Sequence, residues 1–249
     1  MYYPGLVSIS FRDHSPAKIA LAASKFGLKY IEWGSDVHAP CSDITKLEQV
    51  AATQACYGIS CSSYGTYFRL GTNSIHELPS YFIAAQKLGT NILRLWAGRK
   101  PAHQCSPEER SYLIAQCTAA ARLAEEYQMI ICLECHRRSY TETKEGALDL
   151  MQSVNSLNFR MYWQPNPSIS TEENLEYIRL LAPYITHIHV FHWVGEKRLS
   201  LKDGYDEWQQ YLSALTGDHT LLLEFMPDDC IKSLKHEADA LQKLIRMHR

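Results

Sequence analysis

Short apolar runs alternate with longer amphipathic segments along the whole chain. VSISF (7–11), YIEWG (30–34), ISCSSYG (59–65) and NILRLWAG (91–98) read as strands. MIICLECH (129–136), FRMYWQPN (159–166), ITHIHVFHW (185–193) and HTLLLEF (219–225) continue the series. Between them, apolar positions recur with the spacing of one helix face. The predicted helices are SPAKIALAASKF (15–26), DITKLEQVAATQACYG (43–58), IHELPSYFIAAQKLG (75–89) and SPEERSYLIAQCTAAARLAEEY (106–127). TKEGALDLMQSV (143–154), STEENLEYIRLLAP (170–183), DEWQQYLSAL (206–215) and a last segment through Arg249 complete them. Ser or Asp opens several of these, Pro sits in a first turn, and Gly closes others, as helix ends require.

Eight strand-then-helix units follow one another with no linker rich in Gly, Ser or Pro. Strict alternation implies parallel strands joined by helical crossovers. The 249 residues are the size of a closed α/β barrel of eight such units, a single (β/α)8 TIM barrel spanning 1–249. An open doubly wound sheet is the runner-up, but the glycine-rich phosphate turn it carries after its first strand is missing.

A barrel buries its outward strand residues under helices and can place polar residues inward at the carboxyl ends of the strands. Period two then sorts the strands. Cys132, Glu134 and His136 fall inward against outward Ile131 and Leu133; His187, His189 and Phe191 fall inward against Ile188 and Val190. Tyr162 and Gln164 oppose Met161 and Trp163, and Arg94 and Trp96 oppose Leu93 and Leu95. Glu32 opposes Ile31 and Trp33, while Leu222 and Glu224 oppose Leu221, Leu223 and Phe225. The polar residues share one face in each of these strands.

Composition narrows the chemistry. Charged residues are 21% and the net charge is −2, so the basic stripe of a nucleic-acid binder is missing. No apolar stretch reaches the ~20 residues of a membrane span, and the start of the chain lacks the pattern of a signal peptide. Eight scattered cysteines in a chain with ample core point to a reducing cytoplasm rather than a disulfide framework. Cys132 and Cys135 form a C-x-x-C, but three residues apart on a strand they point to opposite faces and cannot share an ion.

Glu134, Gln164, His189 and Glu224 meet at the inner top of four successive strands. Two carboxylates, an imidazole and an amide oxygen suit one divalent ion such as Mn²⁺, Mg²⁺, Co²⁺ or Zn²⁺. A cation also removes the repulsion between two buried carboxylates. The ordinary alternative pairs the glutamates with Arg94, Arg12 or a histidine. His187 lies one layer deeper than His189, and His192 lies near the strand's end.

IEWGSDVHAP, LRLWAG, LECH, YWQP, HIHVFHW and LLLEF, in this order, resemble the sugar phosphate isomerase/epimerase family of xylose-isomerase-like barrels. The resemblance runs over nearly the whole chain. It implies one divalent metal held by Glu134, Gln164, His189 and Glu224, with Gln164 standing where the family commonly has Asp. That change removes one negative charge from the ligand set. It further implies that Glu134 and Glu224 are the catalytic acid/base pair of an isomerase or epimerase acting through a metal-stabilised enediolate. Substrate contacts are expected from Arg94 and Trp96, from Glu32 and His38 near strand two, and from Tyr64, His136, His192 and Arg198. The substrate is a small sugar or keto-sugar, and a homo-oligomer is left open. The competing readings are a keto-sugar lyase or dehydratase, which shares the enolate chemistry, and a sugar-binding barrel without turnover.

Overall fold

A computed structural model describes residues 1–248. Eight parallel strands close into a barrel: β1 (Tyr2–Val7), β2 (Tyr30–Gly34), β3 (Ser60–Leu70), β4 (Ile92–Ala97), β5 (Ile130–Glu134), β6 (Phe159–Trp163), β7 (Ile185–Val190) and β10 (His219–Leu223). The ring order is β1-β10-β7-β6-β5-β4-β3-β2, so chain neighbours are spatial neighbours throughout. Two further short strands, β8 (His192–Val194) and β9 (Lys197–Leu199), form an antiparallel hairpin outside the ring.

Each crossover carries one helix: α1 (Pro16–Lys25), α2 (Ile44–Cys56), α3 (Leu78–Lys87), α4 (Pro107–Glu126), α5 (Lys144–Val154), α6 (Thr171–Leu181) and α7 (Tyr205–Ser213), with α8 (Leu234–Met247) last. The capping signals act as the sequence predicts. Ser106 and Ser170 each form a reciprocal capping box with Glu109 and Glu173, satisfying orphan N–H groups of α4 and α6. None of the described helices is long and apolar enough to cross a membrane.

The period-two partition holds in the packing. Ile131, Leu133, Ile188, Val190, Leu221 and Leu223 pack with helix residues in one continuous outer core. Val7, Cys132, Tyr162 and Leu222 form a separate cluster that fills the barrel interior. Cys132 and Cys135 accordingly fall into different surroundings, Cys135 in the outer core, and all eight cysteines are free thiols.

Three local expectations fail, each for a tertiary reason. The first strand is Tyr2–Val7, not 7–11, and Ser8–Phe11 turn in a short 3-10 helix. β1 must pair with β10 from Tyr2–His219 to Leu6–Leu223 to close the ring. The two serines of the turn then serve neighbouring strand ends: Ser8 Oγ accepts from Gly34 N at 2.9 Å and Ser10 Oγ from Phe225 N at 3.0 Å. β3 runs five residues past its expected end, with its register on β4 shifted between Gly65 and Arg69. ITHIHVFHW is two elements rather than one strand. The barrel strand ends at Val190, and His192 onward pairs with Lys197–Leu199 around Gly195, whose φ of +61° suits a tight hairpin turn.

Candidate active site

Glu134 ends β5, Gln164 follows β6, His189 is the penultimate residue of β7 and Glu224 follows β10. The barrel's stagger brings these four to one point at the carboxyl end. Glu134, His189 and Glu224 each offer a ligand atom within 4.8 Å of the others, and all three are buried. His189 Nδ1 lies 3.5 Å from Glu134 Oε1, 3.5 Å from Glu224 Oε2 and 3.2 Å from Gln164 Oε1. The Gln164 amide donates its Nε2–H to the Cys135 carbonyl at 3.0 Å, which turns its oxygen towards the same point. Donors bound to one metal at ~2.1 Å stand roughly 3–3.5 Å apart, so the set fits a divalent ion.

Below this point runs a second tier of charge. Arg94 is 2% exposed; its Nε lies 3.2 Å from Glu32 Oε1 and its Nη1 2.9 Å from Glu134 Oε2. Trp96 Nε1–H donates to the same Glu134 oxygen at 2.7 Å. Burial alone would raise the Glu134 carboxyl, but Arg94 and then His189 outweigh it and hold it well below the carboxylate range. Glu32 behaves alike: burial is overcome by Arg94 and His189, leaving it at about 2. Glu224 goes the other way. Burial pushes it up, and the charges of Glu134 and Glu32 add to this despite His189 and Arg94. His189 is raised to about 10, because Glu224, Glu32 and Glu134 outweigh the cost of burying its charge.

Above the four residues opens a cleft of about 260 Å³. Arg94, Trp96, Glu134, His136, Gln164 and Glu224 line it. His189 is fully buried beneath them, within reach of an ion but not of a substrate. His136 packs on Trp96 with ring centres 4.7 Å apart, forming one wall.

Five expected substrate contacts lie elsewhere. Glu32 is fully buried under the cleft floor and holds Arg94 and His189. His38 packs beside Trp33 with its ring nitrogens on Ser8 Oγ and the His14 carbonyl, 3.0 and 3.1 Å away. Tyr64 is buried and donates its hydroxyl to the Ala39 carbonyl at 2.5 Å. His192 faces Glu207 at 3.2 Å, tying the β8–β9 hairpin to α7. Arg198 lies on β9, pairs with Asp229 and stacks over the rings of Trp193 and Phe225. Of the three histidines in ITHIHVFHW, then, one belongs to the candidate centre. His187 is an interior group with Nε2 at 3.3 Å from the Ser62 carbonyl.

The cleft also has walls that period two missed. Phe225 lines it although alternation points it outward, because its φ of +56° breaks the strand geometry after Glu224. Phe191, inward by alternation, lines it beside Trp193 after the break that ends β7, and Tyr67 lines it through the extension of β3. Arg12 lines the rim, paired with Asp36 and Tyr67 rather than with a glutamate of the floor. Arg137 lines it directly after His136.

The sequence matches the family model described as xylose isomerase-like TIM barrel over residues 20–248. The chain belongs to the xylose isomerase-like TIM barrel family. A 3-dehydroshikimate dehydratase of Bacillus anthracis is 25% identical over 122 residues, 47% of this chain and 42% of that protein. The match thus spans less than half of that relative's length. The solved structure of a probable 3-DHS dehydratase from Bacillus anthracis superposes with a TM-score of 0.81 at 21% identity, covering 97% of this chain and 99% of that one. D-psicose 3-epimerase of Clostridium cellulolyticum H10 gives 0.76 at 13% identity over 98% of both chains. The 3-keto-D-glucoside 4-epimerase of E. coli gives 0.72 at 12% identity over 99% and 100%. At such identities these structures establish a shared fold of the xylose isomerase-like kind, on which several chemistries are built.

Proposed function

We propose that this protein is a divalent-metal-dependent enzyme that removes a proton next to a carbonyl of a small sugar or keto-sugar, isomerising or epimerising it. The observation that carries this reading is the convergence of Glu134, Gln164, His189 and Glu224 donors around one point on the floor of an open cleft. A divalent ion held there would supply the positive charge that favours an enediolate over the carbonyl compound.

The residues divide the remaining work unequally. Glu134 has one oxygen engaged by Arg94 and Trp96, so it is the poorer proton acceptor and serves mainly to hold the ion. Glu224 has neither of these partners, and its neighbour within the centre is His189 at 3.5 Å, so it is the proton-carrying carboxylate. Trp96 and His136 offer an aromatic wall to the apolar face of a sugar ring.

A second reading, dehydration of a hydroxylated keto compound, draws on the relative named 3-dehydroshikimate dehydratase. It needs the same proton removal followed by loss of a β-hydroxyl. Eight free thiols suit a reducing compartment such as the cytoplasm. Metal analysis of the purified protein, then incubation of keto-sugars in D₂O, tests these readings. Deuterium on a sugar carbon with the mass otherwise unchanged supports isomerisation or epimerisation. Loss of water supports the dehydratase. Binding with neither outcome leaves a sugar-binding barrel and ends the enzymatic proposal.

A further inference from the structure

Glu32 is a fully buried carboxylate that touches the candidate centre from beneath and does not line the cleft. We infer that Glu32 is the positioning residue of His189: it keeps the imidazole proton on Nε2, so that Nδ1 presents its lone pair to the point where the oxygens of Glu134, Gln164 and Glu224 converge. Arg94 and Gly65 in turn hold Glu32 in that pose. This rests on the metal reading given above.

The geometry is specific. Glu32 Oε2 lies 3.4 Å from His189 Nε2 and also accepts the Ser63 hydroxyl at 2.9 Å. That hydroxyl is itself fixed from the far side by Tyr162, whose O–H donates to it at 2.5 Å. The other oxygen, Oε1, receives Arg94 Nε–H at 3.2 Å. Arg94 has no freedom to turn, since its Nη1 also donates to the Thr66 carbonyl at 3.2 Å and pairs with Glu134. Space for the pair exists because residue 65 is glycine. A Cβ there would overlap Glu32 Oε1 and stand 2.9 Å from Arg94 Nη2.

An ionised carboxylate only accepts hydrogen bonds, while a neutral imidazole donates from one nitrogen and accepts at the other. Nδ1 also faces the oxygens of Glu134, Gln164 and Glu224, so with an ion taking its lone pair the carboxylate at Nε2 receives the one remaining proton. Carboxylates behind a ligating histidine orient it in this way, and their loss typically costs ~10–100-fold in metal affinity.

Glu32→Gln makes a sharp test because it is nearly isosteric. Arg94 can only donate, so the new amide must turn its oxygen to Arg94 and its NH₂ to His189 and Ser63. Nε2 must then accept, and the proton moves to Nδ1, where the ion needs a lone pair. Gly65→Ala reaches the same end by displacing an unaltered carboxylate. Two measurements apply: the Mn²⁺ affinity by calorimetry, and the His189 Nε2–H resonance of ¹⁵N-histidine-labelled protein saturated with Zn²⁺. Both variants are expected to bind Mn²⁺ ~10–100-fold more weakly and to lose or shift that resonance, with circular dichroism unchanged. Should Gly65→Ala fail to fold, Glu32→Gln decides alone. Wild-type affinity, or weaker affinity with the Nε2–H resonance intact, overturns the positioning role while leaving the metal reading standing. A wild-type protein that takes up no divalent ion overturns both.

Discussion

At the scale of single residues, the two glutamates look equivalent in the sequence and differ in the structure. Glu134 gives one oxygen to Arg94 and Trp96, whereas Glu224 lies 3.5 Å from the His189 ring and has neither of those partners. Glu224→Gln keeps an oxygen for the ion but cannot carry the proton, so turnover should fall ~10²–10⁴-fold with bound metal retained. Glu134→Gln leaves Arg94 opposite a neutral amide, and the loss should show first in metal content. The double variant should cost less than the product of the single losses, since the groups act as one unit. Rates and bound metal for all three check this; near wild-type turnover in Glu224→Gln at full metal content would remove it as the proton carrier. Gln164→Asp returns a negative charge to the ligand set and should tighten Mn²⁺ binding. Unchanged calorimetric affinity would place the Gln164 oxygen outside the ion's coordination.

At the scale of elements, the loop from β5 to α5 supports the floor. Thr141 Oγ–H donates to the Glu134 carbonyl at 2.5 Å, and the Thr141 carbonyl accepts from Tyr177 at 2.6 Å. Gly146, in the first turn of α5, lets that loop approach: a Cβ there would overlap the Tyr140 carbonyl oxygen. Gly→Ala within a helix ordinarily stabilises by up to ~1 kcal/mol. Here the sign should reverse, because the obstacle is backbone, and overpacking of this kind costs ~1–3 kcal/mol. Urea unfolding of Gly146→Ala measures the sign, and a stabilised variant would show that α5 can tilt away without disturbing the loop.

At the scale of the whole molecule, the barrel interior imposes a pH dependence on folding. His187 is pushed down to about 4 by burial, only partly offset by the Glu32 charge and by its hydrogen bonds. The unfolded chain takes up that proton below pH ~6.5, the folded one only below about 4. Between these values the unfolded state binds more protons, so this group's contribution falls on acidification and is fully present above pH ~6.5. His187→Gln retains a donor for the Ser62 carbonyl and removes the titration. Its stability loss between pH ~6.5 and 4 should be shallower than the wild type's by up to ~3 kcal/mol, read from urea midpoints across that range. Parallel curves would place the acid sensitivity in another group.

The sequence by itself determined the eight alternating units, the inward face along the body of the strands and the four polar side chains that converge on the floor, because strand alternation and helix spacing are local and survive without knowledge of partners. Val7, Cys132, Tyr162 and Leu222 meeting inside the barrel follow from that alternation. Depth along the barrel was another matter. Glu32 and Arg94 are both inward, yet only Arg94 reaches the cleft. The first strand's true start, the extension of β3 and the break after Val190 arise where one strand must register against another, and period two carries no register. Phe225 turned from an outward residue into a cleft wall through one positive φ. Face is a property of the chain; depth, and with it the difference between touching a substrate and holding a ligand from below, is set by the stagger of the closed sheet.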